Sequence, residues 1–167
     1  MIETISFQGK IYPKLQSEGY ASQYCHPFAK KILKGKILDI GCMKKEWALE
    51  GAIPIDLSFE DEYHAMHLPE GLYDGIISSH MAEHFIGNVF EMFNYWRTCL
   101  KPNGVLFLYL PHYAYQEYWH GYNNKKHIHH FTPLILRDYF NSGGWTNVFV
   151  TEGADLNASF YAIAEKK

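Results

Sequence analysis

Asp39 and Asp56 each close a short apolar run, in Lys36-Ile37-Leu38-Asp39-Ile40-Gly41-Cys42 and in Ala52-Ile53-Pro54-Ile55-Asp56. A buried parallel strand that empties into a ligand-binding turn reads this way. The acid is held at the carboxyl end of the strand, and Gly41 lets backbone approach a ligand closely. In an open α/β sheet, that crevice is where ligands sit. An acid ending the second strand is placed to accept hydrogen bonds from both ribose hydroxyls of a nucleoside.

Further along, Ser78-Ser79-His80 ends another apolar run, and His80 is a candidate general base because an imidazole titrates near neutral pH. His84 follows at i,i+4 spacing with no third ligand nearby in sequence, so no metal is expected there. The stretch Pro111–His130 is dense in Tyr, His, Asn and Lys. Its length exceeds a simple connection. Rings with polar tips suit a ring or sugar substrate held by stacking and hydrogen bonds. His112, Tyr115, Trp119 and His127 are the expected contacts, with Lys125 suited to an anionic acceptor. The alternative is a surface loop whose rings pack on the body. His127, His129 and His130 lack an accompanying carboxylate or cysteine in sequence, so they too are read as non-ligands.

Several elements must position these groups. Met1–Leu15 reads as a strand-like arm or a loop. Ser17 and Glu18 open a helical stretch, and Pro27 fits the first turn of a helix over Phe28–Leu33, stopped by Gly35. Met43–Gly51 has room for one or two helical turns. Strands are expected at Ile37–Ile40, Ala52–Asp56, Tyr63–Leu68, Gly75–Ser79 and Val105–Leu110. Phe85–Leu100 reads as a long helix, with Phe85, Val89, Met92, Phe93, Trp96 and Leu100 at three- and four-residue spacing. Pro133–Phe140 is the last helix. Trp145–Thr151 and Ser159–Ala164 form a closing antiparallel hairpin.

Composition narrows the class. At 167 residues the chain has the length of one domain. A net charge of −3 gives no global steering toward nucleic acid or anionic membrane. No apolar run approaches the ~20 residues that span a bilayer, and no signal peptide is visible. Cys25, Cys42 and Cys99 are few and far apart, which fits reduced thiols and a cytoplasmic location.

Leu38-Asp39-Ile40-Gly41-Cys42, the run Tyr73-Asp74-Gly75-Ile76-Ile77-Ser78-Ser79-His80-Met81-Ala82-Glu83-His84, and Leu100-Lys101-Pro102-Asn103-Gly104-Val105-Leu106 occur in that order. Together they resemble the class I S-adenosylmethionine-dependent methyltransferases, in particular the broad type 11 group, from about Ile37 to about Ala164. The resemblance implies an α/β, Rossmann-like, seven-stranded, mostly parallel sheet with helices on both faces and a C-terminal antiparallel hairpin. It implies one domain over residues 1–167, with 1–35 capping the cofactor crevice and 111–131 forming a substrate loop.

The implied cofactor is S-adenosyl-L-methionine. Asp39, Gly41 and Cys42 would lie at its methionine end, Asp56 at the ribose, Leu57 against the adenine, and Ser79 and His80 near the methyl group. The chain departs from the family where the usual G-x-G-x-G becomes Gly41-Cys42-Met43-Lys44-Lys45. His64-Ala65 also stands where many relatives carry an acid facing the adenine amino group. Neither Asn-Pro-Pro-Tyr nor Asp-Pro-Pro-Tyr ends the fourth strand, and no Pro-Cys pair is present, which argues against the nucleic-acid amino and cytosine-C5 classes. The expected activity is methyl transfer to a small or medium-sized acceptor. A non-catalytic cofactor- or partner-binding module and an RNA methyltransferase are the rivals, with nucleic acid the less favoured partner.

Overall fold

The computed structural model describes residues 3–118 and 126–167. β1 (Thr4–Phe7) and β2 (Lys10–Pro13) pair antiparallel as a separate hairpin. Gln8 and Gly9 turn it with φ of 50° and 77°, the positive values a two-residue hairpin needs to follow strand twist. A single turn, α1 (Lys14–Ser17), leads to α2 (Ser22–Ile32). Pro27 lies inside α2 rather than in its first turn, because the helix starts ahead of the expected boundary.

The main sheet comprises β3 (Ile37–Ile40), β4 (Ile53–Ile55), β5 (Tyr73–Ser79), β6 (Leu100–Pro111), β7 (Trp145–Val150) and β8 (Ser159–Lys166). The order is β4-β3-β5-β6-β8-β7. β4, β3, β5 and β6 run parallel, and β8 enters antiparallel between β6 and β7. Side chains alternate across the sheet. Ile77, Phe107, Tyr109 and Ile163 pack with Cys25 and Ala29 of α2. Leu38, Ile76, Leu106 and Leu108 pack on the other face against α3 (Val89–Cys99) and α4 (Pro133–Asn141), through Met92, Phe93, Trp96, Leu136 and Phe140. Helices therefore cover both faces. The capping is local: Asn88 accepts from the N–H groups of Phe90 and Glu91, and Thr132 from that of Ile135. None of the helices is long and apolar enough to cross a membrane, among the described residues.

The sheet has six strands, not the expected seven. Tyr63–Leu68 does not extend; His64 and His67 exchange backbone hydrogen bonds of 3.0 and 2.9 Å in a tight turn. Asp61 Oδ1 accepts from the N–H of Tyr63 and so starts the bend. Met66 N–H donates to His64 Nδ1, and α3 meets two more backbone groups: the Trp96 indole donates to the Ala65 carbonyl at 2.7 Å, and Leu68 N–H donates to the Tyr95 hydroxyl at 2.9 Å. With those groups satisfied, nothing favours pairing with β4, whose Pro54 also makes it a poor partner. Between β3 and β4 a single 3₁₀ turn, Lys45–Trp47, replaces the expected short helix. The long helix begins at Val89 rather than Phe85, after a second 3₁₀ turn at Ala82–His84.

Trp96→Phe removes the donor to Ala65 and leaves a buried carbonyl and a small void. The expected loss is about 2–3 kcal/mol of unfolding free energy. A urea midpoint unchanged from wild type would show that this turn is held by other contacts.

Candidate functional site

A cleft opens where β3, β4 and β5 end. Two compartments share Gly41, Asp56, Met81, His84 and Ile86 as a common wall. The first, about 390 Å³, is mainly apolar, with Ile40, Ile55, Leu57, Ala65 and Phe85 among its lining. The second is more polar. It runs from Gln16–Ser22 past Cys42, Met43, Ser79 and His80 to Glu83 and Lys126–Ile128.

The turn after β3 explains the departure from the glycine pattern. Gly41 has φ 86°, and a Cβ there would stand 2.3 Å from Met81 Cγ. Glycine is thus required so that Met81 can close over the turn. Met43, at the position of the second family glycine, adopts φ 64°. A side chain in that left-handed region costs about 1–2 kcal/mol. Asp56 offsets it: its Oδ2 accepts from Met43 N–H at 2.7 Å, while Ser58 Oγ donates to the Met43 carbonyl at 3.1 Å. The glycine-type backbone persists without the glycine.

Asp56 Oδ1 also accepts from Ser58 N–H at 2.9 Å. An ionised carboxylate has about four acceptor sites, so capacity remains for two hydroxyls. Leu57 is 83% exposed at the mouth of the apolar compartment.

Asp39 lies deeper. It is 2% exposed, accepts from Leu49 N–H at 2.7 Å, and stands behind the turn rather than on the cleft lining. Burial pushes its carboxyl up to about 7, against the Leu49 hydrogen bond and with the Asp56 charge adding to the rise. His26 Nε2 is 4.0 Å away, and burial, then the charge of Lys30, holds that imidazole below its usual range. Cys42 is buried and its thiol is raised to about 12 by burial and then by Asp39 and Asp56, so it stays protonated and is no nucleophile at neutral pH. Ser79 is 7% exposed and lines the polar compartment.

His80 leaves β5 with φ 52°. Its ring lies edge-on to Tyr109, with Nε2 2.9 Å from Ser159 Oγ and Nδ1 3.5 Å from Glu83 Oε1. Glu83 is fully buried, and the rings of His84 and His127 also approach the same oxygen, at 3.7 and 4.0 Å. Burial alone would raise the Glu83 carboxyl, but the neighbouring His80, His84 and His127 together bring it below its ordinary value.

Of the expected acceptor contacts, His127 lines the cleft. His112 packs edge-on against Tyr115 and Phe160, and its Nδ1 accepts from Ala114 N–H. Trp119 and Lys125 lie outside the described residues. The cleft residues not singled out as site residues from sequence include Met81, the lid over Gly41, and Glu83. The spacing His80-x-x-Glu83-His84 was the available signal for Glu83; its meeting with His127 depends on the fold.

Residues 15–150 match a family model described as a methyltransferase domain. No curated protein sequence matches the chain. Among similar solved structures is an S-adenosylmethionine-dependent methyltransferase from Thermotoga maritima, 16% identical, covering 92% of this chain and 93% of that one with a TM-score of 0.65. Another is the 1,6-didemethyltoxoflavin-N1-methyltransferase of Burkholderia thailandensis, solved with its substrate and S-adenosylhomocysteine. It is 13% identical, with 92% and 81% of the chains covered and a TM-score of 0.68. The N-methyltransferase NodS of Bradyrhizobium japonicum, in complex with S-adenosylhomocysteine, is 10% identical over 92% and 88% of the chains, with a TM-score of 0.60. At these identities the likeness is one of fold.

The raised Asp39 carboxyl sets a pH dependence. Its folded value, about 7, lies above its ordinary 3.8. The favourable contribution is complete below pH 4 and is lost as pH rises through 7. Asp39→Asn removes that slope, so the variant should gain stability relative to wild type between pH 4 and pH 8, by roughly 2–4 kcal/mol. Parallel denaturation midpoints across this range would show that Asp39 is not buried as a carboxylic acid.

Proposed function

The chain belongs to the methyltransferase-domain family, and from that premise we propose that it moves the methyl group of S-adenosyl-L-methionine onto a small or medium-sized acceptor. The observation that carries this reading is the division of the cleft at Asp56. An apolar compartment suited to a flat purine lies on one side, and a polar compartment lined by ionisable groups on the other. Such a cleft suits a ligand with an adenine at one end and a charged amino acid at the other. Asp56 has acceptor capacity for the ribose hydroxyls between them. Leu57, Ala65 and Phe85 offer apolar surface to the ring.

A bound cofactor would supply an electrophilic methyl carbon on a sulfonium, with the thioether as leaving group when the acceptor's lone pair attacks. Positive charge on sulfur is lost as this happens, so the protein's part is alignment and exclusion of water rather than strong charge stabilisation. Met81 closes the shared wall over Gly41 and shields the point where the compartments meet. His80 is the candidate base for an acceptor that must lose a proton. Glu83 Oε1, 3.5 Å from Nδ1, would then stabilise the imidazolium. His127 belongs to the acceptor side of the polar compartment.

Two substitutions test the reading. Asp56→Ala should weaken S-adenosylhomocysteine binding, followed by calorimetry, roughly ten- to several-hundred-fold. Wild-type affinity in that variant would place the ribose elsewhere. His80→Asn should lower turnover about a hundredfold while leaving cofactor affinity within a few fold; equal turnover at every pH would remove His80 from the reaction.

A further inference from the structure

Methyl transfer gives Glu83 Oε1 one partner, His80, and leaves the approach of His84 and His127 to the same oxygen unexplained. The Glu83 side chain is fully buried, and Oε2 has no hydrogen-bond partner among the described residues. His80 Nδ1 is the nearest group to Oε1, at 3.5 Å, while the Nε2 atoms of His84 and His127 stand at 3.7 and 4.0 Å from the same oxygen, beyond hydrogen-bond distance.

The orientation of His84 sharpens this. Its Nδ1 is 3.0 Å from the Lys126 carbonyl oxygen. A carbonyl only accepts, so Nδ1 carries the proton. In the neutral ring, Nε2 then turns a lone pair toward Glu83 Oε1, 3.7 Å away. Two electron-pair donors aimed at each other across such a gap call for a cation between them. A backbone carbonyl fixing the far nitrogen of an imidazole is also the usual outer support of a metal-bound histidine.

His127 is held in place by the same strapping. Ile128 and His129 N–H both donate to the Glu83 carbonyl, at 2.7 and 3.1 Å, and His129 Nε2 lies 2.9 Å from the Phe85 carbonyl. These bonds bind the segment after residue 125 to the Ala82–His84 turn. They bring the donor atoms of Glu83, His84 and His127 within 4.8 Å of one another.

We infer that Glu83, His84 and His127 form a binding site for a divalent first-row transition metal ion in the polar compartment of the cleft. Two imidazole nitrogens and one carboxylate oxygen suit Zn²⁺, Mn²⁺, Fe²⁺ or Co²⁺ rather than Mg²⁺ or Ca²⁺, which prefer oxygen alone. Tetrahedral ligands about 2.0–2.2 Å from zinc lie roughly 3.3–3.5 Å apart, so small side-chain movements would close this set around an ion. Three protein ligands leave a coordination position open, as in catalytic rather than structural sites. That position would face the polar compartment and take an oxygen donor: a hydroxyl or carboxylate of the acceptor. This last step rests on the methyl-transfer reading; the metal site itself does not. His80 Nδ1, 3.5 Å from Glu83 Oε1, stands beside the ion as a fourth neighbour.

The test is titration of chelator-treated protein with Zn²⁺ and Mn²⁺ by calorimetry, with Co²⁺ absorption as a report of coordination. One equivalent should bind. His84→Ala and His127→Ala should each weaken binding at least about a hundredfold, beyond the 10–100-fold typical of an outer-shell change. His67→Ala, on an exposed histidine elsewhere, should bind as wild type does. Melting curves confirm that each variant is folded, and Glu83→Gln, close to isosteric, should lose the metal too. Absence of stoichiometric binding to the wild-type protein, or binding that survives both histidine variants, overturns the inference and leaves a carboxylate–histidine cluster that holds no ion. S-adenosylhomocysteine binding, measured on the same samples, separates the two readings. Cofactor without metal refutes only the metal site, and metal without cofactor refutes only the methyl-transfer reading.

Discussion

A carboxylate removed from water must be matched by positive charge or by donated hydrogen, and Glu83 imposes that requirement on three parts of the chain. It draws His80 at the end of β5, His84 one turn on, and His127 beyond the undescribed stretch onto one oxygen. Its backbone carbonyl pins the last of these segments through Ile128 and His129. His80 carries the linkage on to β8 through Ser159. The polar compartment has its shape because the groups answering this one charge form its wall. Removing the carboxylate would therefore disturb more than one contact.

A second constraint operates on the other side of the cleft. Asp56 holds the Met43 amide in a left-handed turn that glycine would adopt unaided. The same carboxylate is the candidate ribose acceptor. On the proposed reading, structural and binding roles would converge on one side chain, and a loss at Asp56 would loosen the turn and the ligand together.

Much of this architecture is legible in the sequence, for a physical reason. β3, β5 and β6 are apolar runs ended by Asp39-Ile40-Gly41, Ser79-His80 and Pro111, and burial on both faces leaves that pattern in any parallel sheet. Tyr63–Leu68 misleads because its backbone partners come from Tyr95 and Trp96, which a local reading cannot place. The helix expected after Cys42 shrinks to a single turn because the Asp56 and Asp39 carboxylates take the amides of Met43 and Leu49 at either side of it. In the site, Asp56 and Gly41 could be found from spacing alone. The meeting of Glu83 with His127 could not, since it is made by backbone bonds between distant segments. His127, His129 and His130 have no carboxylate in their linear neighbourhood, and the fold brings that of Glu83 beside His127.

The position of β8 has a consequence for how the molecule is assembled. β6 carries Leu106, Phe107, Leu108, Tyr109 and Leu110, all fully buried, yet one of its two edges pairs with β8. A ribosome delivers β6 well before β8, so this apolar ribbon waits with open N–H and C=O groups until nearly all of the sheet has been synthesised. β7 arrives first and is the strand most able to dock there wrongly, because its proper place lies one strand further out. The nascent chain therefore passes through a window in which its most sticky edge is unpaired, and cellular holdases that shield such edges gain a reason to attend its birth.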